Sequence, residues 1–126
     1  MGFVVLLGIE EADTAEDIEW LSGKISRLRV FTDAAGQMNL GLQEVNGEVM
    51  VISQFTLHAS TRKGNRPSFT RAATPAKAEQ LYREFILRME SDSGKKVHTG
   101  VFGDHMDVSL VNDGPVTVII DTKNKE

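Results

Sequence analysis

Residues 49–57 alternate in a way that admits a strand and little else. Val49, Val51, Ser53, Phe55 and Leu57 fall on one face, and Met50, Ile52, Gln54 and Thr56 on the other. Both faces begin apolar, so the strand starts inside a core. Gln54 and Thr56 turn the second face polar at its end, where a buried strand opens to a pocket or to solvent. Asn46 and Gly47 precede this run and follow another strand-like stretch, which is a hairpin signature.

The rest of the chain arranges itself around that strand. Residues 2–9 contain the apolar run Phe3, Val4, Val5, Leu6, Leu7 and Ile9 and read as a buried strand. A helix comes next: Asp13 or Thr14 caps it, Glu16 and Asp17 favour its first turn, and Ile18, Leu21, Ile25 and Leu28 share a face with Trp20 at its edge. Residues 33–36 read as a turn. Thr74 and Pro75 open a second helix with Ala78, Leu81, Phe85 and Met89 on one stripe and Tyr82 and Ile86 beside it. Two further strands are expected at 106–111 and 116–121, joined by Asn112, Asp113, Gly114 and Pro115. The lysine-rich end, 123–126, is expected to fray. With 126 residues this is one domain, 1–126.

Composition narrows the function classes. There is no cysteine, hence no disulfide framework, thiolate metal site or cysteine nucleophile, and the reducing cytoplasm is the expected compartment. No apolar run is long enough to span a membrane, and residues 1–9 lack the basic leading region of a signal peptide. The histidines, His58, His98 and His105, lack the spacing of a helical metal site, and Gly-x-Ser-x-Gly, Gly-x-Gly-x-x-Gly and Walker motifs are absent, so no metal and no cofactor is expected. The net charge of −4 argues against a general nucleic-acid binder, yet no acidic residue lies between Glu48 and Glu79. Arg62, Lys63, Arg66, Arg71 and Lys77 give that window +5 and leave −9 for the remainder. Charge alone fits either a solvated loop or a surface for phosphates. The long polar connection 58–74 that carries most of it exceeds what a tight turn requires.

Four segments together, in this order, carry a more specific signal: Ser53, Gln54, Phe55 and Thr56; Arg-Lys-Gly-Asn-Arg-Pro-Ser-Phe at 62–69; Gly-Val-Phe-Gly at 100–103; and Asn-Asp-Gly-Pro-Val-Thr at 112–117. They resemble the D-aminoacyl-tRNA deacylases, over about residues 2–121. The resemblance implies an α/β (α+β type) fold, a compact β-barrel of mainly antiparallel strands with two helices alongside, assembled as a homodimer. It implies hydrolysis of the ester joining a D-amino acid, or glycine, to tRNA. Ser53, Gln54, Phe55 and Thr56 would line the scissile ester. Gly114 and Pro115, joined by a cis bond, would reach into the partner's site and exclude L side chains with backbone carbonyls. Phe102 and Met106 would hold the terminal adenine, although the residues by themselves favour plain core packing for them, and Asp104 and His105 between them depart from the family's pattern. Arg62, Lys63, Arg66 and Arg71 would meet tRNA phosphates. Family members also carry a leading β-hairpin, with a basic residue that helps hold the Gly-Pro loop, which this sequence does not contain. Thr56 needs a base to act as a nucleophile and the strand offers none in sequence. Water assisted by the vicinal ribose hydroxyl, with Phe55 and Thr56 supplying main-chain donors, is the favoured mechanism, and covalent catalysis by Thr56 is the alternative. A non-catalytic tRNA-binding or dimeric scaffold module is the rival to an enzyme.

Overall fold

Two helices separate the strands of the main sheet, and that separation dictates its topology. The computed structural model describes residues 1–126. Strand β1 (Gly2–Leu7) leads into α1 (Ala15–Arg27), a small hairpin β2 (Arg29–Thr32) and β3 (Met38–Gly41), then β4 (Glu48–Ser53), α2 (Pro75–Ser93) and a short β5 (His98–Thr99). Each crossover returns the chain in the same direction, so β1 pairs β4 and β4 pairs β5 in parallel, with β4 central. The β1–β4 register runs from Gly2 opposite Glu48 to Leu7 opposite Ser53.

The helices form where the sequence places them. Thr14 caps α1, and its N–H donates to Asp17 Oδ2 at 2.9 Å. Pro75 occupies the first turn of α2, and Gly94 closes it in the left-handed conformation at φ 73°. Ile18 and Ile25 of α1 and Leu81, Tyr82, Phe85 and Met89 of α2 are buried against Leu7, Val49 and Val51 of the sheet. Between the helices, Ser22 Oγ donates to Asp92 Oδ2 at 2.8 Å, and no buried side-chain polar atom lacks a partner.

Three expectations are overturned. The closed, mainly antiparallel β-barrel is absent: the sheets are one parallel set of three strands and one antiparallel pair, with the two helices as expected. The strands foreseen at 106–111 and 116–121 do not form, because no backbone–backbone hydrogen bond engages residues 105–120 and a strand exists only through a paired neighbour. Their alternation persists in burial, with Met106 and Ile120 half-buried while Val111 and Ile119 are more than 90% exposed. Asn46 adopts φ 52° in a turn, but the strands on either side pair elsewhere, β3 with β2 and β4 with β1. The antiparallel hairpin lies instead at the 33–36 turn, where Asp33 Oδ1 accepts from the N–H groups of Ala35 and Gln37, each at 2.9 Å.

The C-terminal lysines are also fixed rather than frayed. Lys123 Nζ lies 2.9 Å from Asp17 Oδ2 and 3.8 Å from Asp13 Oδ1, and Lys125 sits 4.7 Å from the Trp20 ring centroid. Burial opposes ionisation of Asp17, but hydrogen bonds from Lys123, the Thr14 N–H and Thr122 outweigh it and lower its pKa to about 2. A carboxyl held below its ordinary value near 4 adds stability above that value, and the contribution disappears as pH falls towards 2. Burial moves Asp13 the opposite way, so a single-site comparison is required. Asp17→Asn is expected to lower Tm by roughly 3–5 °C near neutrality, for a screened loss of about 1 kcal/mol. Thermal scans of the two proteins should converge near pH 2, and a constant difference down to that pH would contradict the assignment.

Candidate active site

The strand foreseen over 49–57 stops at Ser53, and the turn beyond it makes the site. The Gln54 N–H gives the final ladder bond, to Leu7 O at 2.8 Å. The chain then curls into a single 3-10 turn, Phe55–His58, closed by Leu57 N–H to Gln54 O at 3.2 Å and Ala59 N–H to Thr56 O at 3.1 Å. Phe55, Thr56 and Leu57 are therefore exposed instead of alternating between two faces. At the start of such a turn the first amides have no partner within it. The N–H groups of Phe55 and Thr56 make no hydrogen bond in the chain.

Side chains complete the picture. Gln54 Nε2 donates to Thr56 Oγ1. That is the sole hydrogen-bond partner of the threonine hydroxyl, and a primary amide cannot take its proton. His58, two residues on, turns instead towards Glu10, with Nδ1 3.7 Å from Oε2. The Phe55 ring meets Phe69 edge-on at 5.1 Å between centroids, which ties the turn to the basic loop.

Sequence reasoning does not single out Gly8, yet the site depends on it. A Cβ there would come within 2.9 Å of Leu57 Cβ and 3.1 Å of Gln54 O, so only glycine lets the end of β1 lie this close to the turn. Its one sequence signal is a glycine interrupting the apolar run of residues 2–9.

The remaining candidates lie in the basic loop, at the start of α2 and in the C-terminal segment. Arg62, Lys63 and Arg71 line one pocket together with Ser60, Ser68 and Thr70, whereas Arg66 does not. Lys77 is drawn away to Glu11, to whose carbonyl oxygen its Nζ donates. Phe102 is half-buried and packs on Tyr82 with centroids 5.6 Å apart, so it contributes to the core. Burial raises the Tyr82 pKa, and its hydroxyl donates to Val51 O at 3.4 Å. The Met106 sulfur occupies the space that a Cβ on Gly100 would need. Gly114–Pro115 is cis, with Gly114 at φ 142°, in an exposed loop. Asn112 clasps that loop, accepting from Val116 N–H at 3.0 Å and donating to Thr117 Oγ1 at 3.2 Å. Within the chain this loop makes no hydrogen bond to residues 53–56. No group of three or more histidine, aspartate or glutamate side chains is placed to hold a metal ion.

A family model described as D-Tyr-tRNA(Tyr) deacylase matches residues 1–121. The chain belongs to that deacylase family. A D-aminoacyl-tRNA deacylase of Flavobacterium johnsoniae is 54% identical over 125 residues, covering 99% of this chain and 83% of the relative. One from Phocaeicola vulgatus is 58% identical over the same shares. Among solved structures, one titled c-Myc DNA Unwinding Element Binding Protein superposes with a TM-score of 0.85 at 37% identity, over 93% of this chain and 79% of that one. A probable eukaryotic D-amino acid tRNA deacylase gives a TM-score of 0.68 at 15% identity, over 81% and 74%, and so supports the fold alone. The deacylase family match thus spans every candidate site residue, including the 53–56 turn and the Gly-Pro loop.

Proposed function

We propose that this deacylase hydrolyses the ester bond of D-aminoacyl-tRNA, and of glycyl-tRNA, using main-chain donors and an activated substrate rather than a side-chain nucleophile. The observation that carries the reading is the pair of uncommitted amides on Phe55 and Thr56, adjacent at the start of one tight turn in a member of this family. Water attacks the ester carbonyl carbon, the two amides receive the developing oxyanion, and the carbon–oxygen bond to the ribose breaks as a proton passes to the leaving oxygen. The vicinal ribose hydroxyl assists the water. Ser53 and Gln54 shape the approach, and Gln54 holds Thr56 through its amide. Chain and substrate meet in the cytoplasm.

Selectivity is assigned to Gly114 and Pro115 of a second copy. Their carbonyls fill the space that an L side chain would require, while glycine and every D-residue present hydrogen there. Two features support a homodimer. Val108, Leu110, Val116 and Val118 are 40–55% exposed on alternating positions. Strand β1 is paired on one side only. Phe102 and Met106 border the position of the terminal adenine.

Matched D- and L-aminoacyl-tRNA substrates test the reading. Release of the D-amino acid with the L-ester largely intact is expected. Equal rates on both would remove the chiral filter, and binding of tRNA without turnover would leave the non-catalytic module.

A further inference from the structure

The structure assigns a second, phosphate-binding site to the basic loop: the pocket of about 270 Å³ lined by Ser60, Arg62, Lys63, Ser68, Thr70 and Arg71 takes one phosphodiester group of the substrate's nucleic-acid backbone. The assignment of the diester to tRNA rests on the deacylase reading above; the site itself stands on its own geometry.

The lining is chemically one-sided. It holds three cations and three hydroxyls, with no carboxylate and no apolar side chain. A phosphate oxygen only accepts hydrogen bonds, so every one of these groups can donate to it, and arginine does so in a planar fork. Arg62 and Lys63 are neighbours in sequence and neither is within 4.0 Å of a carboxylate; of the five cations in the window only Arg71 and Lys77 are paired.

The pocket is also held in shape. Ser60 and Ser68 exchange backbone hydrogen bonds of 2.7 and 2.9 Å, which closes the neck of the loop. Gly64, at φ 66°, turns the tip. Arg71 is steadied from behind: its Nη2 lies 3.5 Å from Glu10 Oε2 and its carbonyl accepts from Glu11 N–H at 3.3 Å. Between the lining residues Ser68 and Thr70 lies Phe69, whose ring meets Phe55. That contact joins the basic loop to the 53–56 turn, and the effect assigned to a phosphate seated here is on substrate positioning. Arg66, though in the same loop, lies outside the lining.

The test uses the full chain, with inorganic phosphate and dimethyl phosphate as separate probes measured by calorimetry and phosphorus NMR. Both probes are expected to bind saturably at one site. Arg62→Gln combined with Lys63→Gln should weaken each at least tenfold, and Arg66→Gln less than twofold. These side chains are exposed, so circular dichroism should be unchanged. In deacylation the double variant should raise KM about tenfold with kcat within twofold, and inorganic phosphate should compete with tRNA in the parent protein but not in the variant. No saturable binding, or an equal loss from Arg66→Gln, would overturn the site. Binding of inorganic phosphate without dimethyl phosphate would overturn its assignment to a nucleic-acid diester in favour of a free phosphate. Because both probes are measured without turnover, a protein that binds them as described yet cleaves no D-ester would defeat the proposed function and leave the pocket standing.

Discussion

Replacing the vicinal 2′-hydroxyl of the terminal ribose by hydrogen is expected to slow deacylation by roughly two to three powers of ten, the usual reach of a positioned proton-transfer group. Thr56→Ala, by contrast, should stay within about fivefold of the parent, because it leaves every main-chain donor in place. The geometry behind this contrast is specific. Thr56 Oγ1 is engaged by the Gln54 amide, which has no basic site, and the nearby His58 imidazole is turned towards Glu10. A hydroxyl so placed has nothing to activate it. The Phe55 and Thr56 N–H groups are unoccupied, and one well-aimed donor to an oxyanion contributes about 3–4 kcal/mol. Single-turnover cleavage of matched ribose and deoxyribose substrates separates the two routes. Undiminished cleavage of the deoxy substrate, or loss of several powers of ten in Thr56→Ala with tRNA affinity unchanged, would transfer catalysis to the threonine.

Local signals in this sequence are reliable where their partners are also local. Thr14 with Asp17, and Thr74 with Pro75, mark helix starts through contacts made within one turn, and both helices begin there. The 49–57 alternation holds to Ser53 and fails beyond it. Its failure is decided by Leu7 O and Gly8, residues more than forty positions away, which end the ladder and admit the tight turn. Asn46 adopts its turn conformation, but which strands pair around it is a long-range choice. The same reason explains residues 105–120, whose strand-like alternation survives in burial while the ladder that would make a barrel wall is missing. The candidate segment 53–56 stands out in the sequence because it is contiguous. The charge window likewise identifies the basic loop. That Arg66 stands apart from Arg62 and Lys63 depends on the Ser60–Ser68 bridge, which no charge count contains.

Mixing two inactive variants is expected to restore activity if the Gly-Pro loop works across subunits. Gly8→Val drives a side chain into Leu57 and Gln54 O and disorganises the amides of its own chain. Gly114→Val places a Cβ 2.9 Å from Val116 Cγ2 at φ 142°, a conformation L side chains rarely adopt, and so spoils only the loop. Each variant alone should fall at least roughly a hundredfold in D-ester cleavage, the scale on which a misplaced positioning element acts. In a mixed dimer one site combines both defects and the other combines an intact turn with an intact loop from its partner. Random reassortment puts half the chains' pairings in mixed dimers with one good site of two, so activity should return to about a quarter of the parent's. Sedimentation of the parent and of the separate variants must first show that each dimerises, since exposed Val116 lies beside the altered loop. If both dimerise and exchange subunits, yet the mixture shows only the sum of its parts, then each loop serves the site of its own chain, and the chiral filter has to be sought within one subunit.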